Sequence, residues 1–68
     1  MKKEQIISKA KDGILEVGEL YTYLEDEEYF TSEELNLVTN VAGYSIETLN
    51  NCLYSRYGVN DIVQLLEE

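Results

Sequence analysis

A chain of 68 residues, 44% of them hydrophobic, is enough for one small domain with a minimal core, and its apolar residues are spread too evenly for wholesale disorder. Fourteen acidic residues against five basic ones leave a net charge of −9, which disfavours nucleic acid and anionic membranes and favours a basic partner. With no histidine and a single cysteine, Cys52, an internal disulfide, an intrachain thiolate metal cage and the commonest proton shuttle are excluded.

The N-terminal residues predict a helix rather than a signal peptide. Ile6, Ile7 and Ala10 recur at helical spacing, and charged residues interrupt every apolar run before it reaches the length of a signal core or a membrane span. We therefore expect a helix from Lys3 to Asp12, ended by Gly13, in a cytoplasmic protein without a membrane partner.

The next segment, residues 14–28, has more than one interpretation. Apolar residues continue at helical spacing, but Gly13 and Gly18 would each weaken a helix that continued from the first one by about 1 kcal/mol. We favour a second helix from about Glu16 to Glu28. One continuous helix, or a strand in the tyrosine-rich stretch LEVGELYTY, are the alternatives.

The clearest helix signals lie in the second half of the chain. Thr31 and Glu34 have the spacing of a capping box, and Phe30 can pack on Leu35 as a hydrophobic staple. A helix should therefore begin at Thr31 and end at Gly43. Its predicted apolar face consists of Leu35, Leu37, Val38, Val41 and Ala42.

The same signals recur at YSIETL. Ser45 is the predicted cap of the next helix, Tyr44 and Leu49 occupy the staple positions, and Gly58 ends the helix. Asn60 then caps a short final helix. The predicted fold class is all-α, a bundle of three to five helices in one domain (1–68): a three-helix core at about 32–42, 46–57 and 60–67, covered by the N-terminal helices.

One spacing suggests contact with DNA. Thr39 lies four residues before Gly43, and Leu49 lies six residues after it. Over residues 35–55 this resembles the helix-turn-helix of bacterial repressors, which implies that the helix after the turn enters the major groove. The implied contacts are Ser45, Glu47, Thr48, Asn50, Asn51 and Tyr54. Residues 31–68 carry one base and six acids, a net charge of −5, which makes nucleic acid an unfavourable partner.

A longer pattern joins Leu35, the pair Gly43-Tyr44, Leu53 and the pair Leu65-Leu66. Over residues 35–66 it resembles ubiquitin-associated domains, which are three-helix bundles with a Gly-Phe or Gly-Tyr loop after the first helix and a leucine pair in the third. The resemblance implies a three-helix fold. It also implies that Gly43, Tyr44, Leu65 and Leu66 contact an apolar patch on a partner.

No catalytic, metal-binding or cofactor-binding pattern is present in the sequence. The acidic run EDEE at residues 25–28 would point around a helix, and it lacks the spaced oxygens and glycine bend of a calcium loop. No glycine-rich stretch has the Gly-Lys-Ser/Thr end of a phosphate loop. We expect a protein that is not an enzyme, with no catalytic residue, metal or cofactor.

Tyrosines are abundant, and two of them, Tyr54 and Tyr57, flank Arg56. Because Tyr and Arg are common at interface hot spots, we expect these three residues to contact a partner. The leading hypothesis is a protein-interaction or regulatory accessory module of a bacterium or mobile element, with a homodimer as one form. The alternatives are a helix-turn-helix regulator and an acidic mimic of nucleic acid. In the mimic, six acids would imitate phosphates: Glu16, Glu19, Glu25, Asp26, Glu27 and Glu28.

Overall fold

The structure is a computed structural model that describes residues 2–67, and over this range the chain forms α-helices without a β-strand. The helices are α1 (Lys3–Asp12), α2 (Val17–Asp26), α3 (Ser32–Ala42), α4 (Ile46–Tyr57) and α5 (Ile62–Glu67). The predicted all-α bundle is confirmed. Across the described range, each helix is too short or too polar to span a lipid bilayer.

Local hydrogen bonds determine most of the helix ends. The Thr31 hydroxyl accepts from the Glu34 backbone N–H at 3.1 Å, and the Glu34 carboxylate accepts from the Thr31 N–H at 3.0 Å, so the capping box is confirmed. The Ser45 hydroxyl caps α4. Gly13 and Gly58 end α1 and α4 in the left-handed conformation, as predicted.

Residues 14–28 contain one helix that is shorter than predicted. It begins at Val17, after a loop that separates it from α1, so the continuous helix and the strand are both wrong. It ends at Asp26, two residues before the predicted Glu28. The Glu28 N–H donates to the Glu25 carbonyl at 3.1 Å, and the Tyr29 N–H donates to the Leu24 carbonyl at 3.0 Å. This pair of bonds is a Schellman C-cap, with Glu28 at φ 60° where glycine is usual.

The last helix starts later than predicted, and its cap is a different residue. Asp61, not Asn60, accepts the Gln64 backbone N–H, at 2.9 Å through its carboxylate, so α5 begins at Ile62. Asp and Asn are both good caps. The two candidates are adjacent and both exposed, and they follow the buried Val59.

The core lies where all five helices meet. Helix α4 is central and packs against α2, α3 and α5, while α2 also packs against α3, and α1 packs on α5. Every helix supplies buried side chains, as do the α2–α3 and α4–α5 connections: Ile6, Leu20, Tyr23, Leu24, Phe30, Leu35, Leu49, Leu53, Val59, Ile62 and Leu66. The N-terminal helices therefore contribute residues to the core and do not only cover it.

Helix α3 buries less of its apolar surface than predicted. Leu35 is fully buried, but Leu37 is 67% exposed and Val41 is 80% exposed. Successive helical residues are rotated by about 100°, so Leu35 and Leu37 lie on nearly opposite sides of the helix. The core covers one side, and an apolar stripe stays open on α3.

The turn between α3 and α4 depends on Gly43. Its φ of 108° and ψ of 152° fall in a region that is essentially restricted to glycine. The next residue, Tyr44, was predicted to be a staple residue of α4, but it is 57% exposed. Its ring lies 5.7 Å from the Tyr21 ring, so it contacts α2. The short turn sets α3 beside α4.

Candidate interaction surface

A groove of about 520 Å³ runs between α3 and α4. We call it the α3–α4 groove. Three apolar side chains of α3, spaced three and four residues apart, form one wall as a continuous stripe. The groove is lined by Phe30, Glu34, Leu37, Val38, Val41, Cys52, Ser55 and Arg56. Apart from one ion pair and one hydroxyl, its lining is apolar.

Arg56 closes one end of the groove. Its guanidinium donates to both carboxylate oxygens of Glu34 and to the Tyr29 carbonyl, and it lies 4.7 Å above the centre of the Phe30 ring. The hydrogen bond from Arg56 and, to a smaller extent, the hydrogen bond from the Thr31 backbone N–H lower the pKa of Glu34 to about 2. The pair therefore contributes little net charge to the groove at neutral pH.

Cys52 lines the opposite wall, on α4. Burial raises the pKa of its thiol, so the side chain is an uncharged thiol at neutral pH and contributes apolar surface. Leu37, Val38, Val41 and Cys52 together make the groove a site for apolar side chains. None of these four was predicted to be a site residue.

The residues implied by the ubiquitin-associated resemblance have different neighbours. Gly43 and Tyr44 lie at the α3–α4 turn, with Tyr44 against α2. Leu66 is 7% exposed and packs in the core, and Leu65 is half-buried beside it on α5. Helix α1 packs on α5. In this fold the leucine pair supplies packing for α5 and α1.

The predicted hot-spot residues Tyr54, Arg56 and Tyr57 also separate. Arg56 lines the groove, but Tyr54 lies two residues from Cys52 and so faces the other side of α4. The Tyr57 hydroxyl donates to the Tyr29 carbonyl at 2.7 Å, and its ring meets the Phe30 ring edge-on at 5.8 Å. Tyr57 therefore fastens the end of α4 to the α2–α3 connection.

Two of the residues implied by the helix-turn-helix resemblance form hydrogen bonds within the chain. Ser45 caps α4, and Thr48 is buried and donates to the Ala42 carbonyl at 3.3 Å. Asn50 is half-buried. The exposed members of the set are Ser45, Glu47, Asn51 and Tyr54, which include no basic residue.

The six acids of the mimic hypothesis fall at the two ends of α2. At its start, Glu19 pairs with Lys9 and also accepts the Glu16 N–H at 3.1 Å. At its end lies the acidic segment, which we define as residues 25–28. Within it, Glu25 accepts from the Ser32 hydroxyl at 2.8 Å, and the other three side chains are exposed.

The groove could have been anticipated from charge patterning. Residues 35–46 contain no charged residue, although 28% of the chain is charged. A long uncharged run that is only partly needed for the core is a candidate surface for a partner. The apolar periodicity of α3 suggested burial instead, because it does not show which side of the helix faces its neighbours.

Comparisons with protein-family models, curated proteins and solved structures found no match for this chain. Among the described side chains, no group of three or more His, Cys, Asp or Glu residues is arranged to hold a metal ion.

Proposed function

We propose that this chain is a non-enzymatic interaction module that binds a partner protein through the α3–α4 groove. The observation that carries the proposal is the exposure of Leu37 and Val41, one helical turn apart, along an apolar groove. Single apolar side chains on a surface need no explanation. Contiguous ones beside a groove are typical of interaction sites.

Burial of the exposed stripe would supply useful binding free energy. Removing a Leu or Val side chain completely from water contributes about 1.5–3 kcal/mol. Leu37 and Val41 retain most of that contribution for a partner, because most of their surface is exposed. The Arg56–Glu34 pair at the end of the groove is already formed, so a partner need not supply a counter-charge there.

The helix-turn-helix alternative would present α4 to DNA. Phosphate contacts supply most of the affinity in such complexes, and they need basic side chains. Arg56 is the basic residue of α4, and Glu34 already engages it. These features favour a protein partner. A mobility shift with duplex DNA that weakens on Asn51→Ala and with added salt would favour the regulator instead.

The acidic-mimic alternative would use the acidic segment against a DNA-binding enzyme. It also requires a protein partner, but it does not require the groove. Competition with DNA for such an enzyme that is unchanged by Leu37→Asp would favour the mimic. Loss of binding on Leu37→Asp would favour the interaction module.

Site-specific photo-crosslinking tests the proposed function. A benzoyl-phenylalanine at position 41 faces the groove, and one at position 54 lies on the exposed far side of α4 as the matched control. In lysate of cells that carry the protein, we expect the probe at position 41 to capture a distinct partner, and Leu37→Asp to abolish that product. Equal capture from both positions, or capture from position 54 alone, would contradict the proposal.

A further inference from the structure

We propose that the partner segment in the α3–α4 groove is an amphipathic helix, with apolar side chains along one face and a cluster of lysine or arginine at the end that lies over the acidic segment. This inference rests on the proposed function and specifies its ligand. It follows from the shape of the groove and from the position of the charge that the chain leaves uncompensated.

The shape of the groove favours a helix. A third helix can lie between two adjacent helices and insert side chains at three- and four-residue spacing between their ridges. Helix α3 has 11 residues, about 16 Å of length, which a partner helix of similar length would match. The described residues include no sheet edge to which an extended peptide could add. Recognition must therefore come from side chains, which a helix presents along one face.

The acidic segment lies at one end of the groove. Glu28 is two residues from Phe30, which lines the groove, so their Cα atoms are within about 7 Å. The hydrogen bond from Ser32 to Glu25 holds the segment beside the first turn of α3. The opposite end, beyond Val41, carries no charged residue as far as Ile46. Glu47 follows at the start of α4 as a single exposed acid, so most of the negative charge that a ligand meets lies at the end beside the acidic segment.

The negative charge at that end is not balanced within the described chain. The ion pairs among residues 2–67 are Lys9–Glu19, Lys11–Glu67 and Arg56–Glu34, and none includes residues 25–28. The segment also lies at the C-terminus of α2, where the helix dipole disfavours negative charge. Basic residues of a ligand would relieve both the mutual repulsion and the unfavourable dipole.

A second copy of this chain is a poorer occupant. It could supply an apolar face, but it carries the same net charge of −9. Within residues 2–67, the cations outside the three ion pairs are Lys2 and Lys3, at the start of α1. Self-association through the groove would bring two acidic surfaces together and leave residues 25–28 without a counter-charge.

A set of three designed peptides tests the inference on the full chain. The first is a capped peptide of about 16 residues with leucines on one helical face, lysines in its last turn, and alanine and glutamine elsewhere. In the second, glutamine replaces the lysines, and in the third, serine replaces the leucines. By calorimetric titration we expect the first peptide to bind about tenfold more tightly than the second, and the third not to bind.

Matched protein variants locate the charge effect. Glu27→Gln with Glu28→Gln should weaken binding of the lysine peptide roughly three- to tenfold. Asp12→Asn with Glu47→Gln removes the same amount of charge at sites away from this end of the groove, and it should change binding much less. Equal weakening by the two double variants would overturn the inference, because it would show only a general effect of net charge.

The remaining outcomes distinguish this inference from the proposed function. If the lysine and glutamine peptides bind equally and Val41→Asp abolishes both, the groove is the site but its ligand is not basic. If the lysine peptide binds Val41→Asp as well as it binds the original chain, the proposed function itself fails. Absence of binding by all three peptides, or sedimentation showing a dimer that Val41→Asp disrupts, would also overturn the basic-helix ligand.

Discussion

Arg56 has a structural role that its sequence context did not predict. Its position between two tyrosines predicted a hot spot for a partner, yet its guanidinium bonds the Glu34 carboxylate and the Tyr29 carbonyl and covers the Phe30 ring. A planar guanidinium suits this role, because it can meet both oxygens of a carboxylate and still stack on an aromatic ring. The residue joins α4 to α3 and to the α2–α3 connection.

Neutralising Glu34 should remove a specific pH dependence of stability. Arg56 and then the Thr31 N–H lower its pKa from 4.5 to about 2, so the stabilisation is present at neutral pH, declines as the pH falls below about 4.5, and is lost near pH 2. Glu34→Gln should therefore be less stable than the original chain at neutral pH, with the difference shrinking toward pH 2. Urea unfolding midpoints across this range measure it.

The matched control is Glu33→Gln, which neutralises the adjacent exposed carboxylate. Its stability difference from the original chain should change much less over the same pH range. If the deficit of Glu34→Gln stays constant from neutral pH to pH 2, the pairing with Arg56 is not the cause.

At the scale of a helix, α2 ends in a C-cap that has no glycine. Its Schellman cap places Glu28 in the left-handed region at φ 60°. That conformation costs an L-residue with a side chain about 1–2 kcal/mol, and negative charge is also unfavourable at this end of a helix. The buried Phe30 lies two residues later, so tertiary packing holds the turn in place despite this cost.

Replacing Glu28 with glycine should therefore stabilise the chain. Relief of the left-handed strain outweighs the entropy that glycine adds to the unfolded state, for a net gain of about 0.5–1 kcal/mol. Chemical denaturation of Glu28→Gly measures it. Glu27→Gly is the control: φ at Glu27 is −88°, so the glycine relieves no strain and should destabilise. A loss of stability in Glu28→Gly would contradict the cap.

At the scale of the whole molecule, stability depends on the shared core. The helices have 6 to 12 residues, and helices this short are marginal in isolation. Each one buries its apolar side only against the others, and α1 does so through Ile6 against α5. Lys9–Glu19 and Lys11–Glu67 link α1 to α2 and α5 at the surface, where ion pairs contribute little.

Truncating Ile6 should consequently affect the whole fold. Ile→Ala in a packed core costs about 2–5 kcal/mol, and a domain of this size has a core worth about 3–5 kcal/mol. We expect Ile6→Ala to lose most of its cooperative thermal transition in circular dichroism. Ile14→Ala, at a site that is 61% exposed, should change stability by less than about 0.5 kcal/mol. A loss in Ile6→Ala as small as that in Ile14→Ala would show that α1 is not part of the core.

The helix boundaries that sequence reasoning predicted well are those made by local contacts. The Thr31–Glu34 box, the Ser45 cap and the glycine at position 13 all act within a few residues, so a short stretch of sequence contains everything needed to predict them. The end of α2 was misjudged because no glycine marks it. The exposure of α3 was misjudged because Leu37 and Val41 have the same periodicity as core residues.

The amino-acid sequence by itself determined the helical class, the capped starts of α3 and α4, and the excess of negative charge, since each depends on composition or on neighbours along the chain. Only the tertiary structure decided that α1 covers α5, that Arg56 pairs with Glu34 across 22 positions, and which side of α3 stays open. These features depend on how helices pack in three dimensions. Periodicity shows that a helix has an apolar side, but the neighbouring helices decide how much of that side is covered.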